Sequence, residues 1–286
     1  MFEKIKVWAS FIQLSHTVFS VPFALIIFFL SEVTLTFDNI IKLSVTLLLL
    51  TCLRASGMTF NRITDVEIDR NNPRTKHREL ISGKLSVQQA WIFLTIVTFL
   101  YLVLAFSIEL PTWFIALWLF IIWGYSLSKQ FTWLCHYWIG LSLAGAPIGM
   151  WLVFNKPTSL NIIFFALGVF FWVSGFDIIY SLQDMEYDRT HAIKSIPVRF
   201  GVKNALLISR ISHALTIISL VAYGILEHTF FWYFVGVAIF LIGLLYEQSL
   251  VSENNISRVN KAFFTVNGFI SLGFMLIVGL NTIFII

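Results

Sequence analysis

Nine stretches of this chain are long and apolar enough to be read as membrane-crossing helices, at roughly 16–35, 39–60, 87–108, 111–128, 132–154, 160–180, 204–225, 229–249 and 262–284. A helix needs about 20 mainly apolar residues to cross the hydrocarbon, where its backbone polar groups find partners only within the protein. The breaks between stretches carry turn or loop chemistry: Asp38-Asn39, Pro111, Asn155-Lys156-Pro157, Glu227-His228 and a polar run at 250–260. No composition shift or long linker divides the chain. The sequence therefore predicts an all-α integral membrane bundle of nine transmembrane helices, forming one domain over residues 1–286.

Composition excludes the alternatives. The chain is 58% hydrophobic and 12% charged, whereas a soluble domain averages about 45–50% apolar and about 25% charged. So few charged residues do not cover a water-soluble surface of this size, and disordered chains are poor in apolar residues. Lys4 and Lys6 precede the first apolar stretch without a small-residue cleavage pattern, so the N-terminus reads as leading into a span rather than as a removable signal peptide. Cys52 and Cys135 lie in apolar runs, with no spacing that suggests a disulfide framework or a zinc site, and read as buried.

Charge placement gives an orientation. With the N-terminus cytoplasmic, every Lys and Arg except Lys42 and Lys156 falls on the cytoplasmic side, as the positive-inside rule demands. The expected topology is N-in and C-out. The net charge of +4 follows from that topology and favours anionic headgroups, so membrane lipids are the expected surroundings and no nucleic-acid binding is expected.

Two acidic clusters stand out against this background. The first is Asn61, Asp65 and Asp69, at the cytoplasmic end of the second span. On one continuous helix each four-residue step drifts by only about 40°, so all three project from one face. The second is Asp177, Tyr180, Asp184 and Asp188, at the cytoplasmic end of the sixth span. On a straight helix Asp184 and Asp188 lie within about 20° of Asp177, with Tyr180 at about 60°. Glu67 and Glu186 fall off these faces and read as solvated.

Aligned carboxylates repel one another and resist desolvation unless a cation sits between them. Oxygen ligands without His or Cys suit hard cations such as Mg²⁺, which typically uses one or two carboxylates and completes its shell with water and phosphate oxygens. The loops after the clusters are basic, with Arg70, Arg74, Lys76, Arg78 and Lys84 after the first, and Arg189, Lys194 and Arg199 after the second. Lys129 ends the segment Tyr125-Ser126-Leu127-Ser128-Lys129. Such cations suit departing phosphate oxygens. Arg54 shares the Asn61 face seven residues earlier, within the membrane, where an ionisable residue is a functional candidate.

In these residues the chain resembles the UbiA superfamily of intramembrane aromatic prenyltransferases. That family has nine transmembrane helices and the motifs NxxxDxxxD and DxxYxxxDxxxD, matched here by Asn61, Asp65 and Asp69, then by Asp177, Tyr180, Asp184 and Asp188. Tyr125 to Lys129 is similar to its YSxxK element, and Arg54 to the basic residue before its first motif. Two positions depart from the common pattern. Arg62 stands where many members carry a second acid, and Arg78-Glu79-Leu80 where many have Arg-Pro-Leu. Both resemble the 4-hydroxybenzoate polyprenyltransferase-like branch, which includes MqnP-type enzymes.

The resemblance implies a polyprenyl diphosphate donor, an aromatic acid acceptor such as 4-hydroxybenzoate or a hydroxynaphthoate, and Mg²⁺ as cofactor, with no obligatory protein partner. Asp65 and Asp69 would hold one ion, Asp184 and Asp188 the other. Asn61 and Asp177 would support these shells, while Arg74 and Lys129 take phosphate charge. Tyr180 would position the allylic cation or the diphosphate, and Arg54 would grip the acceptor carboxylate. The expected location is the bacterial inner membrane, with the active site towards the cytoplasm. Haem farnesylation, chlorophyll esterification and archaeal lipid ether formation share this chemistry with other nucleophiles.

The rival from another class is an ion-coupled transporter, whose carboxylates sit near the bilayer midplane in repeat-related halves. Here both clusters lie at one membrane edge and no clear internal repeat is seen. A lipid scaffold gives no reason for aligned carboxylates. His16, His77, His136, His191, His213 and His228 show no metal-binding spacing and read as loop or packing residues, with His77 and His191 near the site.

Overall fold

The computed structural model describes residues 2–14, 19–154 and 161–285. Helices α1 (Phe2–Phe11), α2 (Val21–Leu30), α3 (Phe37–Thr64), α4 (Val66–Asn71), α5 (Val87–Ser107) and α6 (Thr112–Phe131) are followed by α7 (Cys135–Val153) and α8 (Ile162–Ser181). Then come α9 (Met185–Thr190), α10 (Ile196–Leu226), α11 (Phe231–Ser249) and α12 (Asn267–Ile285). Among the described residues the only bridge between extended segments joins Ser252 and Asn255.

Among the described residues seven helical segments are long and apolar enough to cross a membrane: α3, α5, α6, α8 with its continuation to Thr190, α10, α11 and the last helix from Lys261 to Asn281. Two of the nine expected spans differ. Within the first, expected at 16–35, the described residues hold the 10-residue helix α2, about 15 Å long by itself, and residues 16–18 lie outside the described ones. The fifth, α7, has 19 residues, but His136, its glycines and serine and Pro147 leave it less apolar. The chain also has a helix before the first expected span, α1, whose Lys6 pairs with Glu3 in the open. Lys156, the Asn155-Lys156-Pro157 turn and His16 lie outside the described residues.

The described chain forms two compact units, Met1–Thr17 with Leu35–Leu127, and Val18–Thr34 with Ser128–Ile286. In the first unit α3 packs against α5 and α6 through small and polar residues. Ser56 and Thr98 share a hydrogen bond of 2.9 Å, and Trp123 Nε1 donates to Ser56 Oγ at 2.9 Å. Phe60 stacks on Trp123 at 5.2 Å. Gly57 makes this approach possible, since a Cβ there would lie 2.7 Å from Ile122. Helix α1 docks on the same unit through Phe11, fully buried against Leu85 and Ala90. Trp8 stacks on Phe93 at 4.5 Å.

The second unit is built on α7, α8 and α10. Gly140 lies against Ser174 and the Phe170 carbonyl, Gly168 against Leu220, and Gly175 against the His213 ring. Small residues let helix backbones approach where no hydrophobic effect drives them together in lipid. A buried aromatic core of Phe23, Phe165, Trp172, Phe240 and Phe274 joins α2, α8, α11 and α12. One polar network crosses it: Trp172 Nε1 donates to Asn267 Oδ1 at 2.7 Å, and Asn267 Nδ2 donates to Glu247 Oε1 at 2.9 Å. Gly201 interrupts α10 with φ 76°, a conformation that glycine adopts without a Cβ penalty. The helix starts at Ile196, ahead of the apolar run read from 204, because Arg199 and Lys203 occupy its first turns. Cys52 and Cys135 are buried free thiols.

Candidate active site

The first motif sits where α3 stops. Asp65 leaves helical geometry with φ −94° and ψ 4°, so the single helix expected through Asn61, Asp65 and Asp69 is broken at its middle residue. The turn nevertheless stays wound: Asp65 N–H donates to Asn61 O at 3.0 Å, and Asp69 N–H to Asp65 O at 2.7 Å. Asn61 Nδ2 donates to Asp65 Oδ2 at 3.0 Å. Asn61 therefore orients the first aspartate. Both carboxylates are buried, Asp65 at 2% and Asp69 at 5% exposure.

Arg78, in sequence only one of several basic loop residues, is a direct partner of the motif. Its Nη1 lies 2.7 Å from Asp69 Oδ1 and 2.6 Å from Oδ2, and Thr75 Oγ1 donates to the Asp69 carbonyl at 3.2 Å. The loop after the motif thus folds back onto its second aspartate. Arg74 is half-buried in that loop, its N–H bonded to Asn72 Oδ1 at 2.9 Å. Glu67 is solvated as expected and pairs with Arg70 on the surface.

Arg54 lies on α3 facing the end of α1, where its Nη1 donates to the Gln13 carbonyl at 3.4 Å. Gln13 has φ 51°, in the left-handed region that costs a residue with a Cβ. The two departures from the family pattern hold the same helix. Arg62 Nε donates to Phe11 O at 3.3 Å, and Ser10 Oγ donates to Glu79 Oε1 at 2.5 Å. Substituting Arg for an acid and Glu for Pro thereby gives α1 two polar anchors.

The second motif runs off the end of α8. Asp177 and Tyr180 lie on α8, Asp184 ends a 3₁₀ turn (Leu182–Asp184), and Asp188 lies on α9. The straight-helix projection does not hold here. A 3₁₀ turn advances 120° per residue, so three such residues rotate α9 by about 60° relative to a continuous α-helix. Asp184 and Asp188 are half-buried and Glu186 is exposed. Tyr180 stacks on Phe263 with centroids 4.0 Å apart and meets Phe264 edge-on at 5.9 Å. Both phenylalanines lie on a π-helical turn, Lys261–Val266, that leads into α12.

His136, expected as a packing residue, is bonded to the motif: its Nδ1 lies 2.7 Å from Asp177 Oδ2. His213 is buried and bonded to Gln248 at 2.9 Å. Neither has a local spacing that reveals it, because the partners are 41 and 35 residues away. His77 is exposed, and His191 stacks on Tyr187 at 3.9 Å. Lys129 is half-buried, and its carbonyl accepts the Lys194 N–H at 2.9 Å.

Among the described residues no three His, Cys, Asp or Glu groups converge as a metal cage. Mg²⁺ does not need one, since it binds through one or two carboxylates plus water and substrate phosphates. Pairs of hard oxygen donors one helical turn apart, Asp65 with Asp69 and Asp184 with Asp188, fit that ion and not a thiolate- or imidazole-seeking one.

Two carboxylate motifs at helix ends, each followed by a basic segment, form an arrangement suited to holding a phosphate-bearing substrate through a hard cation. Residues 20–273 match the UbiA prenyltransferase family, and the chain belongs to it; it is a prenyltransferase. It is 25% identical over 82% of its length to a 4-hydroxybenzoate octaprenyltransferase of Blochmanniella pennsylvanica, 80% of which is covered. It superposes on the apo structure of a UbiA homologue from Aeropyrum pernix K1 with a TM-score of 0.80 and 28% identity, covering 90% of this chain and 96% of that one. A UbiA homologue from Archaeoglobus fulgidus bound to GPP and Mg²⁺ shares the fold, with a TM-score of 0.78, 20% identity, and coverage of 97% of this chain and 99% of that one.

Proposed function

We propose that this prenyltransferase moves a polyprenyl group from its diphosphate to the ring of an aromatic acid of the 4-hydroxybenzoate type, in quinone biosynthesis. The acceptor class rests on the relatives named 4-hydroxybenzoate octaprenyltransferase. The observation that carries the chemistry is the buried turn in which Asn61 orients Asp65 one helical turn before Asp69. Asp65 and Asp69 hold one Mg²⁺ and Asp184 and Asp188 a second. When bound, these ions supply the positive charge that stabilises a leaving diphosphate.

The chain's own residues do the rest. Asn61 fixes the Asp65 carboxylate, and Asp177 supports the second shell. Arg74 and Lys129 share phosphate charge in half-buried positions, where charge-assisted bonds are stronger than in water. Tyr180, held flat by Phe263, presents a π face to the allylic carbon as positive charge develops there. Arg54, whose Nη1 donates to the Gln13 carbonyl, grips the acceptor carboxylate. The allylic C–O bond breaks and diphosphate leaves with its electron pair. The ring carbon beside the phenol hydroxyl forms the new C–C bond to the allylic carbon, and the ring proton passes to the released diphosphate, restoring aromaticity.

Nine membrane passages with a cytoplasmic N-terminus, a single domain formed by both units, and an inner-membrane location with the site facing the cytoplasm complete the reading. The Lys and Arg distribution supports the orientation, and one family match running through both units supports the single domain. The test is incubation of the purified enzyme with Mg²⁺, geranyl diphosphate and a panel of hydroxybenzoates and hydroxynaphthoates, followed by mass analysis. A prenylated hydroxybenzoate supports the proposal. A prenylated hydroxynaphthoate alone moves the enzyme to menaquinone synthesis, and no product with any acceptor rejects it.

A further inference from the structure

We propose that His136 is a positioning residue for the second motif, aiming the Asp177 carboxylate through one fixed imidazole tautomer; this rests on reading Asp177 as part of the diphosphate-binding shell. His136 lies in the first turn of α7 and is 3% exposed. Its two ring nitrogens bond in different directions. Nε2 lies 3.3 Å from the backbone nitrogen of Ile196, and Nδ1 lies 2.7 Å from Asp177 Oδ2.

A backbone amide only donates, so Nε2 is the acceptor and carries no proton. The ring proton of the neutral imidazole is then on Nδ1, where it donates to Asp177. The tautomer is set by the protein and not by Asp177 itself, as happens when the far nitrogen of a histidine is committed to a backbone partner. An aspartate on the last turns of α8 would otherwise rotate about its side-chain torsions. With Oδ2 taken by His136, the plane of the carboxylate is set.

The same histidine ties down the surroundings of the motif. Ile196 begins α10, and its N–H is among the first helical donors, which lack an intrahelical partner. The residue two before it is latched to the end of α6 and the start of α7. Lys194 N–H donates to Lys129 O at 2.9 Å, Lys194 Nζ to Phe131 O at 3.2 Å, and Cys135 Sγ to Lys194 O at 3.5 Å. His136 thus links Asp177, the segment after Asp188, and the turn that carries Lys129. These three pieces of the second unit share one fixed point.

Two substitutions separate the two bonds. His136→Gln places a carbonyl oxygen near the Nε2 position, keeping an acceptor for Ile196 but removing the Nδ1 donor. His136→Asn keeps a donor near the Nδ1 position but does not reach Ile196. Each full-length protein is measured for thermal unfolding without Mg²⁺, for Mg²⁺-dependent stabilisation by inorganic pyrophosphate, and for kcat and KM. His136→Gln is expected to unfold close to wild type yet need about 10–100-fold more Mg²⁺ for half-maximal stabilisation or turnover, the usual cost of losing such a supporting bond. His136→Asn is expected to shift the unfolding temperature more and the Mg²⁺ requirement less. Histidine-selective ¹⁵N NMR of the metal-free protein is expected to show a neutral Nδ1–H tautomer that vanishes in His136→Gln.

An Nε2–H tautomer overturns the proposal. So does a wild-type Mg²⁺ response in His136→Gln, or equal losses in both variants that track unfolding temperature. If the wild-type protein shows neither a pyrophosphate response nor prenyl transfer, the proposed function has failed and takes this inference with it. If wild type responds and His136→Gln is unchanged, this inference alone falls.

Discussion

Arg78 holds both carboxylate oxygens of Asp69 with a single nitrogen, at 2.7 and 2.6 Å. The pair is largely buried, with 22% and 7% side-chain exposure, so solvent screens it weakly. An aspartate proposed as a Mg²⁺ ligand is therefore already neutralised by its own loop. Metal binding at Asp69 has Arg78 as its competitor, and the cation released from Asp69 stays beside the site, where phosphate oxygens attract it.

Arg78→Ala is expected to leave Asp69 buried without its cation and to lower stability in Mg²⁺-free buffer by about 1.5–3 kcal/mol, the usual worth of a hydrogen bond to a charged group. Added Mg²⁺ is expected to restore part of that loss, because it supplies the missing positive charge. Thermal unfolding with and without Mg²⁺ checks both. Unfolding identical to wild type in metal-free buffer would contradict the pairing.

Asp65→Asn and Asp184→Asn each remove one charged ligand with little change in volume. Both proteins are expected to insert and express normally and to lose Mg²⁺-dependent prenyl transfer by at least about 100-fold, the upper range for altered metal shells. Product analysis by mass spectrometry is the measurement. Near-normal turnover in either variant would count against its carboxylate as a ligand.

Chelating divalent ions from the wild-type enzyme is expected to stop turnover, and returning Mg²⁺ to restore it. Reversibility separates loss of metal from loss of fold. Activity that survives an excess of chelator would contradict the two-ion reading.

Gly140→Ala is expected to damage the second motif from a distance. A Cβ at Gly140 would run into the Phe170 carbonyl and Ser174 Oγ of α8, pushing apart α7 and α8, which carry His136 and Asp177. Overpacking of this kind costs about 1–3 kcal/mol. Unfolding temperature and the Mg²⁺ requirement are expected to worsen together. A variant with wild-type values for both would show that the α7–α8 spacing is not needed.

Asn267→Ala strips an acceptor from Trp172 Nε1–H and a donor from Glu247 Oε1. Each buried group left unsatisfied costs about 1–3 kcal/mol, so the unfolding temperature is expected to fall well below wild type. Thermal unfolding of the purified variant is the check, and an unchanged midpoint would mean that water replaces Asn267.

The amino-acid sequence by itself determined the membrane character and the helix-rich fold, because both depend on the length of apolar runs, which is a local property. It also determined the motif residues, because the i, i+4 spacing of Asn61, Asp65 and Asp69 survives as consecutive backbone bonds even though α3 ends at Thr64. Tertiary structure decided the rest. It limited the described helix of the first expected span to α2, inserted a 3₁₀ turn ending at Asp184, and committed Arg62 and Glu79 to α1 and an Arg54 nitrogen to Gln13 just after it. It also gave Asp177 its histidine and Asp69 its arginine. The His136 bonds reach 41 and 60 residues along the chain, and no periodicity of 3.6 residues encodes a partner at that separation. Such pairs exist only after helices have packed, when a buried polar group must bond to whatever donor or acceptor the fold brings beside it.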